Sequence, residues 1–506
     1  MSRQGVPGIL GPVTETQTPP PVPSPAGLTT TQDLQATRIV ILGGGPGGYE
    51  AALVARRLGA DVTVVERQGL GGAAVLTDVV PSKTLIATAE WMAVGRTASE
   101  LGIRVVDAAG DAAQSLVVDL AAVNTRVMAL AAAQSADIRA RLERENIRMV
   151  MGDGRLDGPS RVVVKPHGTD TDEIVLEADV ILLATGATPR VLPAAQPDGE
   201  RILTWTQLYK LTTLPPKLIV VGSGVTGAEF AGAYNALGSE VVLVSSRDRV
   251  LPGEDADAAN LIEDVFRSRG MTVMSRRRAE AARVVGEGED AHVEVTLSDG
   301  TVVTGSHVLM AVGSVPSTQG LGLEEAGVRL TESGHIEVDK VSRTSARGVY
   351  AAGDCTGIFP LASVAAMQGR VAMSHALGDA VQPLRLRTVA ANIFTAPEIA
   401  TVGYSEKALR EQSSKYSVTI LPLNRNPRAK MLGIREGFVK MFAHPEAGVV
   451  LGGVVVAPRA SELIFPITLA VAHRLTVDDV AESFTVYPSL SGSIAEVARM
   501  GHHRGD

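Results

Sequence analysis

The feature that most constrains the fold of this 506-residue chain is a supersecondary unit that occurs twice. The first copy begins at Thr37 with "TRIVILGGGPGGYEAALVARRLGADVTVVER", and the second begins at Lys217 with "KLIVVGSGVTGAEFAGAYNALGSEVVLVSSRDR". Each copy has an apolar run, a G-x-G-x-x-G loop, a segment with helical spacing and a second apolar run. Because a strand, glycine loop, helix and strand form a βαβ nucleotide-binding unit, the repeat predicts an α/β fold with two Rossmann-like domains.

The first unit has every part of a dinucleotide-binding motif. "RIVIL" predicts a buried parallel strand, and Gly43, Gly45 and Gly48 complete the loop that follows. The loop needs glycine for a tight turn, for backbone approach to a pyrophosphate and for close packing of helix on strand; the helix N-terminus then faces the phosphates. The second strand is predicted to end at Glu66, where a carboxylate can hold an adenosine ribose.

The second unit repeats the glycine loop but lacks the acid. Its loop glycines are Gly222, Gly224 and Gly227, and its second strand is followed by Ser245, Arg247 and Arg249. A carboxylate here would repel a 2′-phosphate, whereas hydroxyl and guanidinium groups can hydrogen-bond to it. The unit therefore favours NADPH, with NADH as the weaker alternative. The competing interpretation is that the two arginines belong only to a solvated loop.

Further strand-and-turn segments connect the two units. "ILLATGATPR", which contains Thr185 and Gly186, and "VLMAVGSVP", which contains Gly313, each predict a strand that enters a turn at a domain crossover. A third segment, "SRTSARGVYAAGDCTG", predicts a strand ending near Asp354. A carboxylate there can accept hydrogen bonds from a polyol such as the ribityl chain of a flavin, and the alternative is a helix cap.

Composition excludes several other classes. A net charge of −8 with dispersed lysines and arginines disfavours nucleic acid as a partner. A single cysteine, Cys355, excludes an intramolecular disulfide and a multi-thiolate zinc site, and it favours a reducing, cytoplasmic location. No apolar run approaches the roughly 20 residues of a membrane span, so we expect no stable membrane insertion. Residues 1–37, rich in Pro and Thr, predict a disordered arm.

The order of these motifs resembles that of the flavoprotein disulfide reductases, such as dihydrolipoamide dehydrogenase and glutathione reductase. The resemblance runs from Thr37 to about Arg499, and "FTAPEIATVGYSE" is similar to the start of the family's C-terminal domain. It implies an FAD-binding domain at 38–189 and 313–387, an NAD(P)-binding domain at 190–312 and an α+β dimerisation domain at 388–506. A homodimer is therefore expected.

The resemblance also implies roles for individual residues. FAD would be bound by the glycines of the first loop, Glu66, Thr185, Gly186 and Asp354, and the nicotinamide cofactor by the second loop, its arginines and Gly313. Lys83 of "PSK" and Glu229 of "GVTGAEF" match a family pair beside the flavin. An ammonium there would stabilise the anionic reduced ring, and its glutamate partner would hold it.

The chain departs from that family at four positions that serve only thiol chemistry. Ala74 and Val79 stand where the redox cysteines of the GG-x-C-x4-C-x-PSK frame belong, and Tyr487 and Gly492 in "YPSLSG" replace the acid/base histidine and its glutamate. Thiol exchange needs a thiolate and a base, and neither is present. The "GGAAVL" and "YPSLSGSI" segments resemble those of a disulfide-free branch that acts as an NAD(P)H:quinone reductase.

The sequence therefore predicts an FAD-dependent enzyme that passes a hydride from NADPH to a quinone or similar small acceptor. Lys83, Glu229, Tyr487, Val79 and Ala74 are the predicted catalytic-site residues. Two alternatives remain open. One is a pyridine nucleotide transhydrogenase, and the other is a flavin-binding redox sensor or scaffold without catalysis.

Overall fold

A computed structural model describes residues 36–103, 116–168 and 172–502. The described residues from Thr37 onward form one compact unit. The predicted N-terminal arm, apart from its last two residues, lies outside the described ranges.

The elements follow the order that the repeated unit predicts. The first part contains β1 (Arg38–Leu42), α1 (Pro46–Arg57), β2 (Asp61–Glu66), α2 (Gly72–Leu76), α3 (Val79–Thr97), α4 (Leu120–Arg144), β3 (Arg148–Leu156), β4 (Arg161–Pro166), β5 (Ile174–Glu177), β6 (Val180–Leu183) and β7 (Ala187–Pro189). The second contains β8 (Ile202–Leu203), β9 (Lys217–Val221), α5 (Val225–Leu237), β10 (Glu240–Val244), α6 (Ala256–Ser268), β11 (Thr272–Met274), β12 (Ala279–Val285), β13 (His292–Leu297), β14 (Val302–Gly305) and β15 (His307–Met310).

The chain then returns to the first part before it enters the third. The returning elements are β16 (Ser314–Pro316), β17 (Val349–Ala351) and α7 (Ala362–Ala376). The third part contains β18 (Ala391–Ile393), β19 (Glu398–Gly403), α8 (Glu406–Glu411), β20 (Ser417–Pro422), α9 (Pro427–Met431), β21 (Phe438–Ala443), β22 (Val450–Ala457), α10 (Ala460–Leu463), α11 (Phe465–His473), α12 (Val477–Glu482) and α13 (Gly492–Met500). Short 3₁₀ segments, among them Trp205–Lys210 and Asp354–Thr356, connect these elements.

The first sheet has the order β17-β6-β1-β2-β3-β4-β5. Its pairs from β17 to β3 are parallel, whereas β3, β4 and β5 form an antiparallel meander. The apolar run in β1 is almost entirely buried, as expected for a parallel strand covered on both faces. Helix α1 packs closely against the returning helix α7, so the first and last segments of this domain share one core.

The second unit forms a separate parallel sheet of order β11-β10-β9-β15-β8, beside an antiparallel sheet of β12, β13 and β14. Strands β7 and β16 pair antiparallel where the chain crosses between the domains. The C-terminal part is an antiparallel sheet of order β18-β19-β22-β21-β20 with α10 to α13. The chain is thus an α/β protein with two Rossmann-like domains and a C-terminal α+β domain.

One hydrophobic core joins all three parts. It includes Leu85 of α3, Phe230 of α5 and Phe442 of β21. Helix α3 packs along α5, and this contact brings the first and second nucleotide-binding units together. Within the described ranges, no helix has the length and apolar character that a membrane span requires.

Candidate active site

The two glycine loops have the same local geometry. The first glycines, Gly43 and Gly222, have φ angles of 103° and 109°, which only glycine adopts without strain. The third glycines are required by packing, because a Cβ on Gly48 or Gly227 would collide with the carbonyl oxygen of the first glycine of its own loop. Each loop therefore turns sharply and brings its helix close to its strand.

The second glycine of each loop is not required by packing within the protein. A Cβ on Gly45 would lie 4.0 Å from its nearest neighbours, Gly71 and Gly72, and a Cβ on Gly224 would meet nothing within 4 Å. Protein packing thus leaves room for a side chain at both positions. Glycine there fits a ligand whose phosphates approach the backbone at the N-termini of α1 and α5.

The first loop opens onto a cavity with a volume of about 660 Å³. Its walls include Gly43, Gly45, Glu66, Thr185, Gly186 and Asp354, together with Ala74, Asp78 and Val79. The volume falls within the range of roughly 300–1,000 Å³ that is usual for cofactor sites. The structure therefore brings six of the residues predicted to bind FAD around one space, whereas Gly48 and Lys83 are not among its walls.

Two polar groups of this cavity are arranged for a ligand. The Thr185 hydroxyl is buried and makes no hydrogen bond of ordinary geometry within the described part of the chain, although it lies close enough to the Cys355 thiol to oppose the rise in that thiol's pKa. Burial raises the pKa of the Asp354 carboxyl, and the charge of His335 opposes that shift. A buried hydroxyl without a partner costs free energy, so both groups fit a bound molecule that carries hydroxyl groups or ring nitrogens. The donor set thus suits FAD.

Glu66 has a second role besides facing the cavity. Its carboxylate accepts hydrogen bonds from the backbone N–H groups of Gly44 at 2.6 Å, Gln68 at 2.6 Å and Gly69 at 3.1 Å. It therefore fixes the glycine loop against the end of β2. Since each carboxylate oxygen has two lone pairs, the group can still accept a bond from a ribose hydroxyl.

Lys83 and Glu229 meet at the junction of the three domains. The Lys83 ammonium donates to the Glu229 carboxylate at 2.8 Å, and the Glu229 side chain is only 3% exposed. The other oxygen of Glu229 accepts the backbone N–H of Phe394 at 2.9 Å, and the ammonium lies 5.0 Å from the centre of the Phe394 ring. The pair predicted from the sequence is thus formed, and the C-terminal domain helps to hold it.

The positions of the missing cysteines border the cavity. Ala74 lies in α2, and Val79 is the first residue of α3. Both side chains line the cavity, and Val79 is 36% exposed. Cys355 is fully buried, and this burial raises the pKa of its thiol to about 11. A protonated thiol in the core takes no part in thiol exchange.

Tyr487 does not reach this cavity within its own chain. It is 82% exposed, and it is absent from the cavity walls. Its neighbours Phe484 and Val486 are also strongly exposed. A run of exposed apolar side chains of this kind is typical of a surface that meets another protein chain.

The loop after β10 differs from the prediction at Ser245. The Ser245 side chain is fully buried, and its hydroxyl lies 2.7 Å from the Ser223 hydroxyl and contacts the backbone of Arg247 and Arg249. Ser245 therefore shapes the loop and is not presented to a ligand. Arg247 is exposed and Arg249 is half-buried beside Asp248. The two guanidinium groups remain the candidates for a 2′-phosphate.

Sequence reasoning missed Asp78, Phe394 and Arg276. Asp78 precedes Val79, and an acid within an otherwise apolar stretch was the available signal. The backbone N–H of Arg276 donates to the Arg247 carbonyl at 2.7 Å, which places a third arginine beside the loop after β10. The run "RRR" from Arg276 was its signal. No local pattern pointed to Phe394, because its contact with Glu229 joins residues far apart in the sequence.

Comparisons with known proteins agree with this architecture. Residues 37–369 match the family described as pyridine nucleotide-disulphide oxidoreductase, and residues 389–498 match its dimerisation domain. The chain is 54% identical over 470 residues to an NAD(P)H dehydrogenase (quinone) of Mycobacterium tuberculosis, a match that covers 92% of this chain and 93% of that protein. It is 32% identical over 460 residues to a dihydrolipoyl dehydrogenase of Chlorobaculum parvum, covering 91% and 96%.

Solved structures give the same result. The crystal structure of LpdA from Mycobacterium tuberculosis superposes with a TM-score of 0.86 at 53% identity, over 92% of this chain and 100% of that one. The flavoprotein disulfide reductase RclA from Escherichia coli has a TM-score of 0.80 at 24% identity, over 92% and 100%. The second likeness shows the fold alone. The matched dimerisation domain supports a homodimer.

Proposed function

Because this chain belongs to the pyridine nucleotide-disulphide oxidoreductase family, we propose that it is an FAD-dependent NAD(P)H:quinone oxidoreductase that works without a redox-active disulfide. The observation that carries the proposal is the cavity wall at Ala74 and Val79. Two aliphatic side chains stand there in place of the sulfurs, so no disulfide is available to accept the electrons. The relative named NAD(P)H dehydrogenase (quinone) supports a quinone as the acceptor.

The family implies FAD and NAD(P)H as cofactors, and the residues of the first cavity fit FAD. When bound, FAD takes two electrons from a reduced nicotinamide and passes them to an acceptor. The chain supplies the binding: the first loop and α1 would hold the pyrophosphate, Glu66 the ribose, and Thr185 and Asp354 polar groups of the flavin part. The proposal includes an FAD-binding domain at 38–189 and 313–387, an NAD(P)-binding domain at 190–312 and a dimerisation domain at 388–506.

Lys83 would supply the positive charge beside the flavin. Its ammonium is held by Glu229, whose second oxygen is fixed by the backbone of Phe394. An ammonium fixed in this way needs no rearrangement when negative charge develops nearby. Glu229 belongs to the second nucleotide-binding unit, so the same pair would join the nicotinamide-binding domain to the flavin site.

The second loop would bind NADPH in preference to NADH. Gly222, Gly224 and Gly227 form its phosphate-binding turn, and Gly313 lies in the crossover between the domains. No carboxylate stands at the end of β10, where Ser245 replaces the acid of the first unit. Arg247 and Arg249 would contact the 2′-phosphate. A cytoplasmic location, which the single cysteine favours, stays a prediction.

The acceptor would enter the space beside Ala74 and Val79. We propose that the protein is a homodimer and that Tyr487 of the partner subunit closes this space. An aromatic phenol can stack on a quinone ring and donate a hydrogen bond to its carbonyl. The exposure of Tyr487 in the single chain supports this arrangement. The alternative is that the quinone enters from the nicotinamide side after NADP⁺ has left.

Steady-state oxidation of NADPH by the purified, FAD-loaded protein tests the function. We expect turnover with a soluble quinone and none with lipoamide, since the buried Cys355 cannot form a dithiol. Turnover with lipoamide, or NADPH oxidation that a quinone does not accelerate, would contradict the proposal. A nicotinamide analogue as acceptor tests the transhydrogenase alternative, and the absence of turnover with every acceptor would favour a scaffold.

A further inference from the structure

Asp78 is a carboxyl group of the cavity that the proposed function leaves without a role. It lies between the two former cysteine positions in the sequence and lines the same cavity as Ala74 and Val79. An acceptor placed beside Ala74 and Val79 would therefore lie near its carboxyl group. Any role of Asp78 toward the acceptor rests on the proposed quinone reductase function.

The Asp78 side chain performs no structural task in the described part of the chain. Asp78 is the N-cap residue of α3, a position where an aspartate normally accepts hydrogen bonds from the first turn. Here its side chain makes no capping bond, and the backbone alone is engaged, with the N–H donating to the Ala73 carbonyl at 2.8 Å. By contrast Asp119, the N-cap of α4, accepts from the backbone N–H of Ala122 at 3.0 Å.

The surroundings of Asp78 raise the pKa of its carboxyl group. Burial raises the pKa of its carboxyl group, the Lys83 ammonium opposes the shift, and Glu229 and Asp354 reinforce it. The negative charge of Asp78 helps to raise the pKa of Tyr209, whose hydroxyl is buried without a hydrogen-bond partner in the described ranges. Asp78 therefore sits among one cation, already held by Glu229, two other carboxyls and one phenol.

The overall reaction requires a proton donor at the acceptor. NAD(P)H, one proton and a quinone give NAD(P)⁺ and a hydroquinone, so the quinone gains two electrons and two protons. The electrons and one hydrogen nucleus originate in the hydride of NAD(P)H, and the remaining proton comes from solvent. A quinone in an aliphatic pocket is shielded from water and needs a group that carries this proton to its oxygen.

We propose that Asp78 is the general acid that protonates a quinone oxygen during reduction of the acceptor. The O–H bond of the Asp78 carboxyl breaks as an O–H bond forms on the quinone, and the resulting carboxylate takes a proton back from water at the cavity mouth. This role requires the acceptor to bind at the cavity face that carries Ala74 and Val79. It is a catalytic residue of the acceptor half-reaction only.

Stopped-flow reoxidation of the NADPH-reduced holoenzyme tests this role. In Asp78→Asn, reoxidation by a soluble quinone should be about 10²-fold slower, as expected for the loss of a general acid. The wild-type rate should fall as pH rises through the pKa of Asp78, because the donor loses its proton, and the variant should lose this dependence. Asp78→Ser is a second variant, and Asp119→Asn is the matched control at a surface N-cap.

Two further measurements separate proton donation from a structural effect. Ferricyanide accepts one electron and no proton, so it should reoxidise Asp78→Asn at the wild-type rate. Infrared spectra of the holoenzyme without substrate, recorded as the pH is lowered through the raised pKa of Asp78, should show a protonated carboxyl band that the variant lacks. The proposal is overturned if quinone reoxidation is unchanged in both variants, if ferricyanide reoxidation slows equally, or if no carboxyl band is lost. If the wild type itself fails to reduce quinone, the proposed function falls, and the acid role with it.

Discussion

At the scale of single residues, the end of the second strand distinguishes the two nucleotide-binding units: Glu66 stands there in the first unit and Ser245 in the second. In the first unit, the Glu66 carboxylate accepts the backbone N–H of Gly44. In the second, the hydroxyls of Ser245 and Ser223 form a hydrogen bond of 2.7 Å, which joins the end of the strand to the glycine loop without a charged group. The exchange keeps the loop closed against the strand and removes a negative charge. Arg247 and Arg249 follow in the loop after β10.

This exchange predicts the cofactor preference. In the double variant Arg247→Ala with Arg249→Ala, the preference for NADPH over NADH should fall by about 10- to 100-fold in kcat/KM, equivalent to roughly 1–3 kcal/mol. Kinetics with NADH should change little, because NADH carries no 2′-phosphate. Arg283→Ala, which removes an exposed guanidinium of the same domain, is the control. An unchanged ratio would transfer the role to other groups, with Arg276 the first to test.

At the scale of elements, β21 is joined to the start of α6 by a buried lysine. The Lys440 side chain is 1% exposed, and its ammonium donates to Asp255 at 2.9 Å, Asp257 at 2.8 Å and Glu406 at 2.6 Å. Burial opposes its charge, but the hydrogen bonds to the carboxylates outweigh this and raise its pKa. The Lys440 ammonium thus adds a buried ionic link between the C-terminal domain and the nicotinamide-binding domain.

Removing this ammonium should destabilise the protein strongly. Lys440→Met leaves the buried Asp255 carboxylate without its partner, and loss of one member of a buried pair costs about 3–5 kcal/mol. Thermal unfolding of the holoenzyme should show a clear fall in the midpoint. Lys415→Met removes an exposed lysine paired with Glu446 and should cost less than about 1 kcal/mol. Equal effects of the two variants would contradict the assigned role of Lys440.

The same cluster predicts a dependence on acid. Burial opposes ionisation of Glu406, but hydrogen bonds from Lys440 and Arg410 outweigh it and lower the pKa of the carboxyl below its usual 4.5. Its stabilisation is therefore fully present above that value and is lost as pH falls through the lowered pKa. Acid unfolding followed by tryptophan fluorescence should begin at a higher pH in Lys440→Met than in the wild type. An unshifted transition would show that Glu406 contributes nothing.

At the scale of the whole molecule, the proposed acceptor site needs residues from two chains. The cavity has an aliphatic wall at Ala74 and Val79, whereas Tyr487 lies on an exposed apolar segment of the C-terminal domain. We propose that a two-fold dimer brings this segment of one copy to the cavity of the other. In this proposal each chain binds its own cofactors, and residues of both chains form the acceptor site.

Separate measurement of the two half-reactions tests this arrangement. Val79→Trp should fill the acceptor space and Tyr487→Ala should open it, so both should slow reoxidation by quinone and leave flavin reduction by NADPH nearly unchanged. Light scattering should report a dimer that carries about one FAD per chain. Wild-type reoxidation in both variants would mean that the quinone meets the flavin from the nicotinamide side, and a monomer would contradict the shared site.

The amino-acid sequence by itself determined the parts of this protein that depend on local rules. The two glycine loops, their flanking strands and the loss of both cysteines are readable because turn geometry and strand burial depend on neighbouring residues. The resemblance added the Lys83 and Glu229 pair, whose members are 146 positions apart. The structure then confirmed the fold class and brought most of the predicted FAD-binding residues, though not Gly48 or Lys83, around one cavity.

Only the tertiary structure decided what each polar side chain faces. Ser245 follows an apolar strand and was expected to meet a phosphate, yet its hydroxyl turns inward to Ser223 because the buried loop must satisfy its own hydrogen bonds. Asp78 occupies a helix cap position, yet its carboxyl is left to the cavity. Lys440 gives no local signal, since its partner Asp255 is 185 positions away. Burial and pairing of charges depend on contacts between distant segments, and these exist only once the domains have packed.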